Sequence, residues 1–355
     1  MKQLVHNGLE GAGAFLSGFI RCVGRGPILL VCKPNSFRAS GAQDWLRQAD
    51  RTSFHVFSEF SPNPKDCEVA LGVDRFRAVH AAGILAIGGG SVIDMAKLIN
   101  FLGTRKIGLD VALRNQWADS VPLCPLLAIP TTAGSGSEAT HFAVVYQGQV
   151  KYSLASESLR PSHALLVPEW TYSLPPYQTA CVGMDALAQG VESHWAKGAT
   201  EESRGYARRA IELALENLFA AVNRPDPQNR AAMLEAAHLA GRAIDISKTT
   251  AAHAFAYVLS MRFELPHGHA VALLLPFLVG HHMRQGISVP GVDEHGIQRL
   301  IRDIGLECHL PMGAADLSRL LLENVNLERL NNNPTAVSGD LVQVIAGELS
   351  RDRHE

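Results

Sequence analysis

The chain has 355 residues, 47% hydrophobic and 19% charged, a balance that suits large buried cores and excludes a disordered polymer. A formal net charge of -2 gives no electrostatic reason to expect nucleic acid or an anionic membrane as partner, so any anionic substrate must be held locally. The length exceeds one ordinary core and predicts two domains. Cys22, Cys32, Cys67, Cys124, Cys181 and Cys308 are scattered singly with no CxxC pair, the pattern of reduced thiols. Glu10 interrupts the N-terminal apolar stretch, which argues against a secretory leader, and VALLLPFLVG is far shorter than the ~20 residues of a spanning helix. A cytoplasmic protein is expected.

Residues 28 to 32, ILLVC, are a continuous apolar run of the kind a strand buried on both faces shows. A helical pattern follows through Trp45, Leu46 and Ala49. FHVFSEF at 54 to 60 reads as a second strand ended by the turn SPNPK, Val69 to Ala82 has helical spacing, and ILAIG at 84 to 88 is a third strand.

GGGSVIDMAK follows at 88 to 97. A strand entering glycines and then a helix brings free N–H groups and the helix dipole together, an anion-binding geometry. Gly88, Gly89 and Gly90 would let a pyrophosphate approach the backbone, Ser91 would cap the helix, and Asp94 lies on its first turns. A tight structural turn fits the same residues, which match neither G-x-G-x-x-G nor a Walker loop. CPLLAIP at 124 to 130 is another strand, delivering TTAGSGSEAT with Thr131, Thr132 and Ser135 where open α/β sheets bind ligands. FAVVY, a QGQ turn and VKYSLAS then predict a hairpin, with Lys151 either a ribose or phosphate contact or a solvated lysine. After the first strand, Lys33 and Arg38 stand where an acidic residue would favour NAD, and they would tolerate a 2′-phosphate.

From about residue 169 the pattern is helical, as in Glu201 to Val222, Arg230 to Ile244 and Leu317 to Asn324. Asp185 and Gln189, at i and i+4, share one helix face; His253 and His267 are separated by Pro266, which bars one continuous helix. Their convergence would make a mixed N/O site for a divalent first-row metal; a solvated carboxylate and core histidines are the competing reading. Ser247, Lys248, Thr249 and Thr250 precede His253. If a helix starts there, Ser247 is its N-cap, and free N–H groups, Lys248 and two hydroxyls suit a phosphate or phosphonate head group; an ordinary capped helix start accounts for them equally.

GGGSVIDMAK, PTTAGSGSEAT, GMDALAQGVES and PHGHAVALLLP occur in the order and approximate spacing of the iron-containing alcohol dehydrogenase family, which the chain resembles from residue 25 to NNNPTAV. The resemblance implies a dehydroquinate synthase-like architecture: an α/β dinucleotide-binding domain, placed at 1–162, and an all-α metal- and substrate-binding domain at 163–355. It implies NAD(P)H and one divalent metal, usually iron(II), sometimes zinc, in a cleft between the domains. Asp185, His253 and His267 match three of the family's ligands; Gln189 stands where a histidine is usual, and Tyr257 where many relatives carry a further histidine. Tyr257, Lys248 and His269 are the expected catalytic groups.

Within the family, KYSLAS, DALAQ, SKTTA and PHGHAVAL resemble phosphonoacetaldehyde reductases, which implies reduction of phosphonoacetaldehyde to 2-hydroxyethylphosphonate. Another short-chain aldehyde, a lyase of the dehydroquinate synthase type, or a cofactor-binding protein with metal chemistry impaired at Gln189 are the alternatives. A homodimer with a small-molecule substrate is expected.

Overall fold

A computed structural model describes residues 3–49, 53–117, 121–148 and 150–350. The first part runs β1 (Leu4–Asn7), α1 (Ala12–Val23), β2 (Ile28–Cys32), α2 (Pro34–Ala39), α3 (Ala42–Ala49), β3 (Phe54–Phe57), α4 (Asp66–Ala78), β4 (Gly83–Gly88) and α5 (Gly90–Arg105). It continues with α6 (Leu109–Leu113), β5 (Leu126–Pro130), β6 (Phe142–Gln147), β7 (Val150–Ala155) and β8 (His163–Leu166). Helices follow: α7 (Pro176–Trp195), α8 (Glu201–Asn223), α9 (Pro227–Ser247), α10 (Ala251–Phe263), α11 (His267–Arg284), α12 (Glu294–Asp303), α13 (Ala314–Glu323), α14 (Leu327–Asn331) and α15 (Gly339–Leu349).

Every residue of β2, β4, β5 and β8 is buried, as strands covered on both faces require. They form a parallel sheet in the order β1-β8-β5-β4-β2-β3. One face packs under α4 and α5 through Val69, Val73, Phe76, Ile93 and Phe101; the other packs under α1, α2 and α3 through Leu16, Phe19, Phe37 and Leu46. Each such fully buried side chain contributes about 1.5–3 kcal/mol relative to exposure. The stretch β3-β2-β4-β5-β8 has the doubly wound order in which the chain reverses between its second and third positions, here β2 and β4. The carboxyl ends Cys32-Lys33 and Gly88-Gly89 therefore flank the crevice where open α/β sheets take ligands.

The β6-β7 hairpin stands apart from the sheet and turns at Gly148, whose φ is 59°; Gln149 of the expected turn lies outside the described residues. It is tethered to α5. The fully buried Lys97 Nζ donates to Thr140 O (2.8 Å), Thr140 Oγ1 (3.0 Å) and Phe142 O (2.9 Å), while Val144 N donates to Asp94 Oδ2 (3.1 Å).

The chain divides into two compact units, Met1–Thr132 with Gly136–Leu174, and Ala133–Ser135 with Pro175–Glu355. This corrects a boundary at 162/163. HALL at 163–166 resembles the start of a linker, yet it pairs with both β1 and β5 and completes the sheet. The second unit is built from helices. Thr200 caps α8 by accepting from Ser203 N, and Asp226 caps α9 by accepting from Asn229 N, followed by Pro227 at the first helical position.

The expected helix start at Ser247 is a helix end. Ser247 is the last residue of α9, its hydroxyl donating back to Ala243 O (3.1 Å), and Lys248 leaves the helix with φ 60°. Among the described residues no helix is long and apolar enough to cross a membrane.

Candidate metal and dinucleotide sites

On α7, Asp185 and Gln189 sit one turn apart and both are buried. His253 comes from the first turn of α10 and His267 from the first residue of α11, after Glu264 turns the chain with φ 55° and Pro266 precedes the new helix. One ligand atom from each of Asp185, His253 and His267 lies within 4.8 Å of the others. His253 Nε2 is 3.2 Å from Asp185 Oδ1, and the two imidazole centroids are 5.3 Å apart.

The approach of α11 to α7 depends on Gly268. A Cβ there would lie 1.9 Å from Cys181 O and 3.0 Å from Asp185 Cβ, so a larger residue would push His267 off its neighbours.

Gln189 supplies the fit test for a cation. Its Nε2 donates weakly to Ser135 O at 3.4 Å, but its buried Oε1 has no hydrogen-bond partner. An orphaned buried acceptor costs about 1–3 kcal/mol. A divalent ion held by the Asp185 carboxylate, this amide oxygen and two imidazoles would relieve it, and that donor set suits iron(II) or zinc. The residues present fit the metal.

Behind His253 stands Glu192, fully buried, with Oε2 2.5 Å from His253 Nδ1 and Oε1 accepting from Thr250 Oγ1 (2.8 Å) and Ala252 N (2.6 Å). Burial opposes the Glu192 charge, yet His253 and these hydrogen bonds hold its pKa below the usual carboxylate value. Burial likewise opposes an imidazolium at His253, and the Glu192 and Asp185 carboxylates outweigh it, raising the His253 pKa. The pocket therefore favours positive charge at this point.

Of the three expected catalytic groups, His269 and Lys248 lie elsewhere and Tyr257 does not. Tyr257 is half-buried on α10, one turn beyond His253 and on the same face. His269 is drawn away from the ligand cluster: its Nε2 engages Glu307 O (2.8 Å) and its Nδ1 Tyr177 Oη (2.9 Å). Two positions along a helix amount to roughly 200° of rotation, so it leaves α11 on the side opposite His267. Lys248 is an exposed side chain paired with Glu328 (2.6 Å), and the helix that follows it, α10, starts at Ala251 rather than at Ser247, with Ala252 N given to Glu192.

The 247–250 loop is pinned instead by Asn332, whose Nδ2 donates to Ser247 O (2.8 Å) and Thr249 O (3.0 Å), and by Arg329, which donates to Thr249 Oγ1. Burial lowers the Arg329 pKa, against the pull of Glu192, Glu328 and Asp185. Sequence reading missed Glu192 and Arg329. The first had a signal, its position at i+7 from Asp185; the second, nearly eighty residues downstream of the loop, had none.

In the first unit, β4 ends at Gly88 and α5 begins at Gly90, with Gly89 as an N-cap whose helix has no side-chain cap. No side chain caps this 16-residue helix, and Val92 N already donates to Gly89 O (2.9 Å), so the uncapped start is confined to the N–H groups of Gly90 and Ser91. Thr131 N donates to Gly88 O (3.1 Å), and a Cβ on Gly89 would come within 3.2 Å of Thr132, so the loops after β4 and β5 lie against each other.

Three side chains assigned to this site are held by the fold. Ser91 is inside the helix rather than its cap, its Oγ accepting from Asn63 N (3.1 Å). Asp94 accepts from Ser137 Oγ (2.5 Å) and Val144 N. Lys33 Nζ donates to Ser58 O (3.0 Å) and to Phe60 O, over the Phe60 ring. Lys151 lies on β7 opposite Tyr146, near enough to Asp94 to favour its charge; Ser135 belongs to the second unit beside Gln189.

Comparison with known proteins shows the family and the fold. The family model for iron-containing alcohol dehydrogenase matches residues 9–168, and that for the C-terminal part of the same family matches residues 179–325. The chain is similar to the phosphonoacetaldehyde reductase of Streptomyces viridochromogenes, 36% identical over 70% of this chain and 64% of that protein. It is 32% identical to aldehyde-alcohol dehydrogenase 2 of Entamoeba histolytica over 75% of this chain, spanning only 32% of that longer protein. The crystal structure of sulfoacetaldehyde reductase from Bifidobacterium kashiwanohense in complex with NAD+ superposes with a TM-score of 0.84 at 29% identity, covering 98% of this chain and 96% of that one. On its matched length and ligand cluster, the chain belongs to the iron-containing alcohol dehydrogenase family.

Proposed function

We propose that this chain reduces a small aldehyde carrying an anionic head group to its primary alcohol, with phosphonoacetaldehyde as the substrate and NADH as the reductant. The observation that carries the reading is the Asp185–His253–His267 cluster together with the orphaned Gln189 Oε1. When bound, iron supplies a Lewis acid and the nicotinamide supplies the hydride. Asp185, Gln189, His253 and His267 hold the metal, and Gly88, Gly89, Gly90, Thr131 and Thr132 receive the pyrophosphate at the uncapped α5 terminus. Tyr257, one turn from His253, passes the proton to the new alkoxide.

The anionic head group has a cation in Arg329, whose one side-chain hydrogen bond among the described residues is to Thr249. A planar guanidinium can meet two phosphonate oxygens at once. The names of the two reductase relatives support the same substrate class. NADH is preferred because Lys33, the cation nearest the end of β2, already donates to two backbone carbonyls.

The test is anaerobic assay of iron-loaded protein with NADH, comparing phosphonoacetaldehyde with propionaldehyde. The reading predicts a kcat/KM at least tenfold higher for the anionic aldehyde, and loss of that advantage in Arg329→Met. No NADH consumption with either aldehyde would overturn the activity, and equal use of both would overturn the substrate class.

A further inference from the structure

Asp185, Gln189 and Glu192 lie at i, i+4 and i+7 of α7, so one face of one helix carries two expected ligands and a third polar group behind them. Glu192 touches no solvent, and its hydrogen bonds have a readable direction. Trp195 Nε1–H is a donor only, and it is 2.9 Å from Thr250 Oγ1, which must therefore accept. The Thr250 hydroxyl is then free to donate to Glu192 Oε1 at 2.8 Å, beside the Ala252 N–H at 2.6 Å. With Oε1 receiving two donors, Oε2 faces His253 Nδ1 at 2.5 Å, and a carboxylate oxygen there requires Nδ1 to carry the hydrogen. In the neutral ring that ligation requires, the hydrogen on Nδ1 leaves His253 Nε2 with its lone pair facing Asp185 Oδ1 at 3.2 Å, two acceptors that a divalent cation would satisfy together in place of the proton that the metal-free pocket favours.

We propose that Glu192 is a positioning residue of the metal site, the end of a directional Trp195–Thr250–Glu192–His253 chain that fixes the histidine tautomer and orients its Nε2 for ligation. The proposal rests on His253 being a metal ligand. Because Glu192 also grips the first turn of α10 through Ala252 N, it sets the position of the whole ring as well as its protonation pattern.

Glu192→Gln is the discriminating substitution. Its amide keeps the shape, but its one oxygen can receive Thr250 and Ala252 while its NH2 faces Nδ1, which must then accept; the hydrogen moves to Nε2 and blocks ligation. Metal-free protein is titrated with Co2+ under chelator competition, following the visible ligand-field bands, and His253 is assigned by long-range 15N–1H NMR. Cobalt affinity should fall roughly 10–100-fold in Glu192→Gln, with altered bands, and less in Glu192→Asp. The wild-type NMR pattern should show the hydrogen on Nδ1.

Cobalt binding by Glu192→Gln within about threefold of wild type, with unchanged bands, would overturn the proposal. Should that variant fail to fold, Thr250→Val breaks the chain one link earlier: several-fold weaker cobalt binding supports the proposal and undiminished binding overturns it. If the wild type itself binds no cobalt, the metal assignment and this proposal both fall; hydrogen on Nε2 rather than Nδ1 in a metal-free wild type that does bind cobalt overturns the proposal alone.

Discussion

The glycine turn after β4 and the ligand cluster on α7, α10 and α11 are two opposite ways of building a site. The turn offers backbone: an uncapped helix start, glycines pressed against Val92 and Thr132, and neighbouring side chains tied into the fold. The cluster offers side chains: a carboxylate, an amide and two imidazoles brought together from three helices. A backbone site should be sensitive to added bulk and indifferent to lost functional groups, whereas a side-chain site should fail when one group is removed.

The largest effect is expected at the cluster. Asp185→Ala removes the one anionic ligand, and metal affinity should fall by more than the roughly 10–100-fold that loss of an outer partner causes. Metal content after dialysis checks it. Gly268→Ala comes next, because its Cβ would overlap Cys181 O and the backbone must move. Destabilisation of about 1–3 kcal/mol is expected, with weakened cobalt binding, read by thermal melts and titration.

In the turn, the sensitive position is Gly88, where a Cβ would sit 2.4 Å from Val92 Cγ2. Gly88→Ala should raise the KM for NADH about tenfold or more while metal content stays at the wild-type level. That split between cofactor and metal is what separates the two sites, and loss of both together would break the comparison.

A pH effect of intermediate size arises behind the cluster, at His282, whose ring packs 4.2 Å from that of Trp195 and feels the Glu192 charge. Burial, with help from the neighbouring His281, lowers the His282 pKa from 6.5 to about 4. The unfolded chain takes up this proton first, so stability is fully present above pH 6.5 and falls as pH drops toward 4, by up to about 3 kcal/mol. Melting temperature against pH should show that slope, and His282→Gln should flatten it. The smallest effect is expected for Ser91→Ala, whose hydroxyl meets Asn63 N rather than the helix start; NADH affinity should change less than threefold.

What could be read from sequence follows the same division. β2, β4 and β5 were legible because strands buried on both faces are unbroken apolar runs, and the ligand trio because Asp185, His253 and His267 are chemically distinctive types at motif spacing. Ser247 misled because serine is both a good N-cap and able to donate back to the carbonyl four residues earlier; tertiary contact with Ser193 (2.7 Å) favours the second. Lys33 and Asp94 misled because sequence shows that a charge is near a ligand crevice, not that Ser58 O or Val144 N will claim it. Glu192 was hidden because a glutamate in a helix normally faces water, and only the packing of α10 on α7 removes that option.

The central claim is that one divalent ion per chain is held by Asp185, Gln189, His253 and His267. Isothermal titration of metal-free wild-type protein and Gln189→Ala with iron(II) under argon tests it most directly. One site per chain in the wild type, with at least several-fold weaker binding once the orphaned amide oxygen is gone, is the expected result. Equal affinity in both would contradict the assignment of Gln189, and no saturable binding in the wild type would contradict the metal site as a whole.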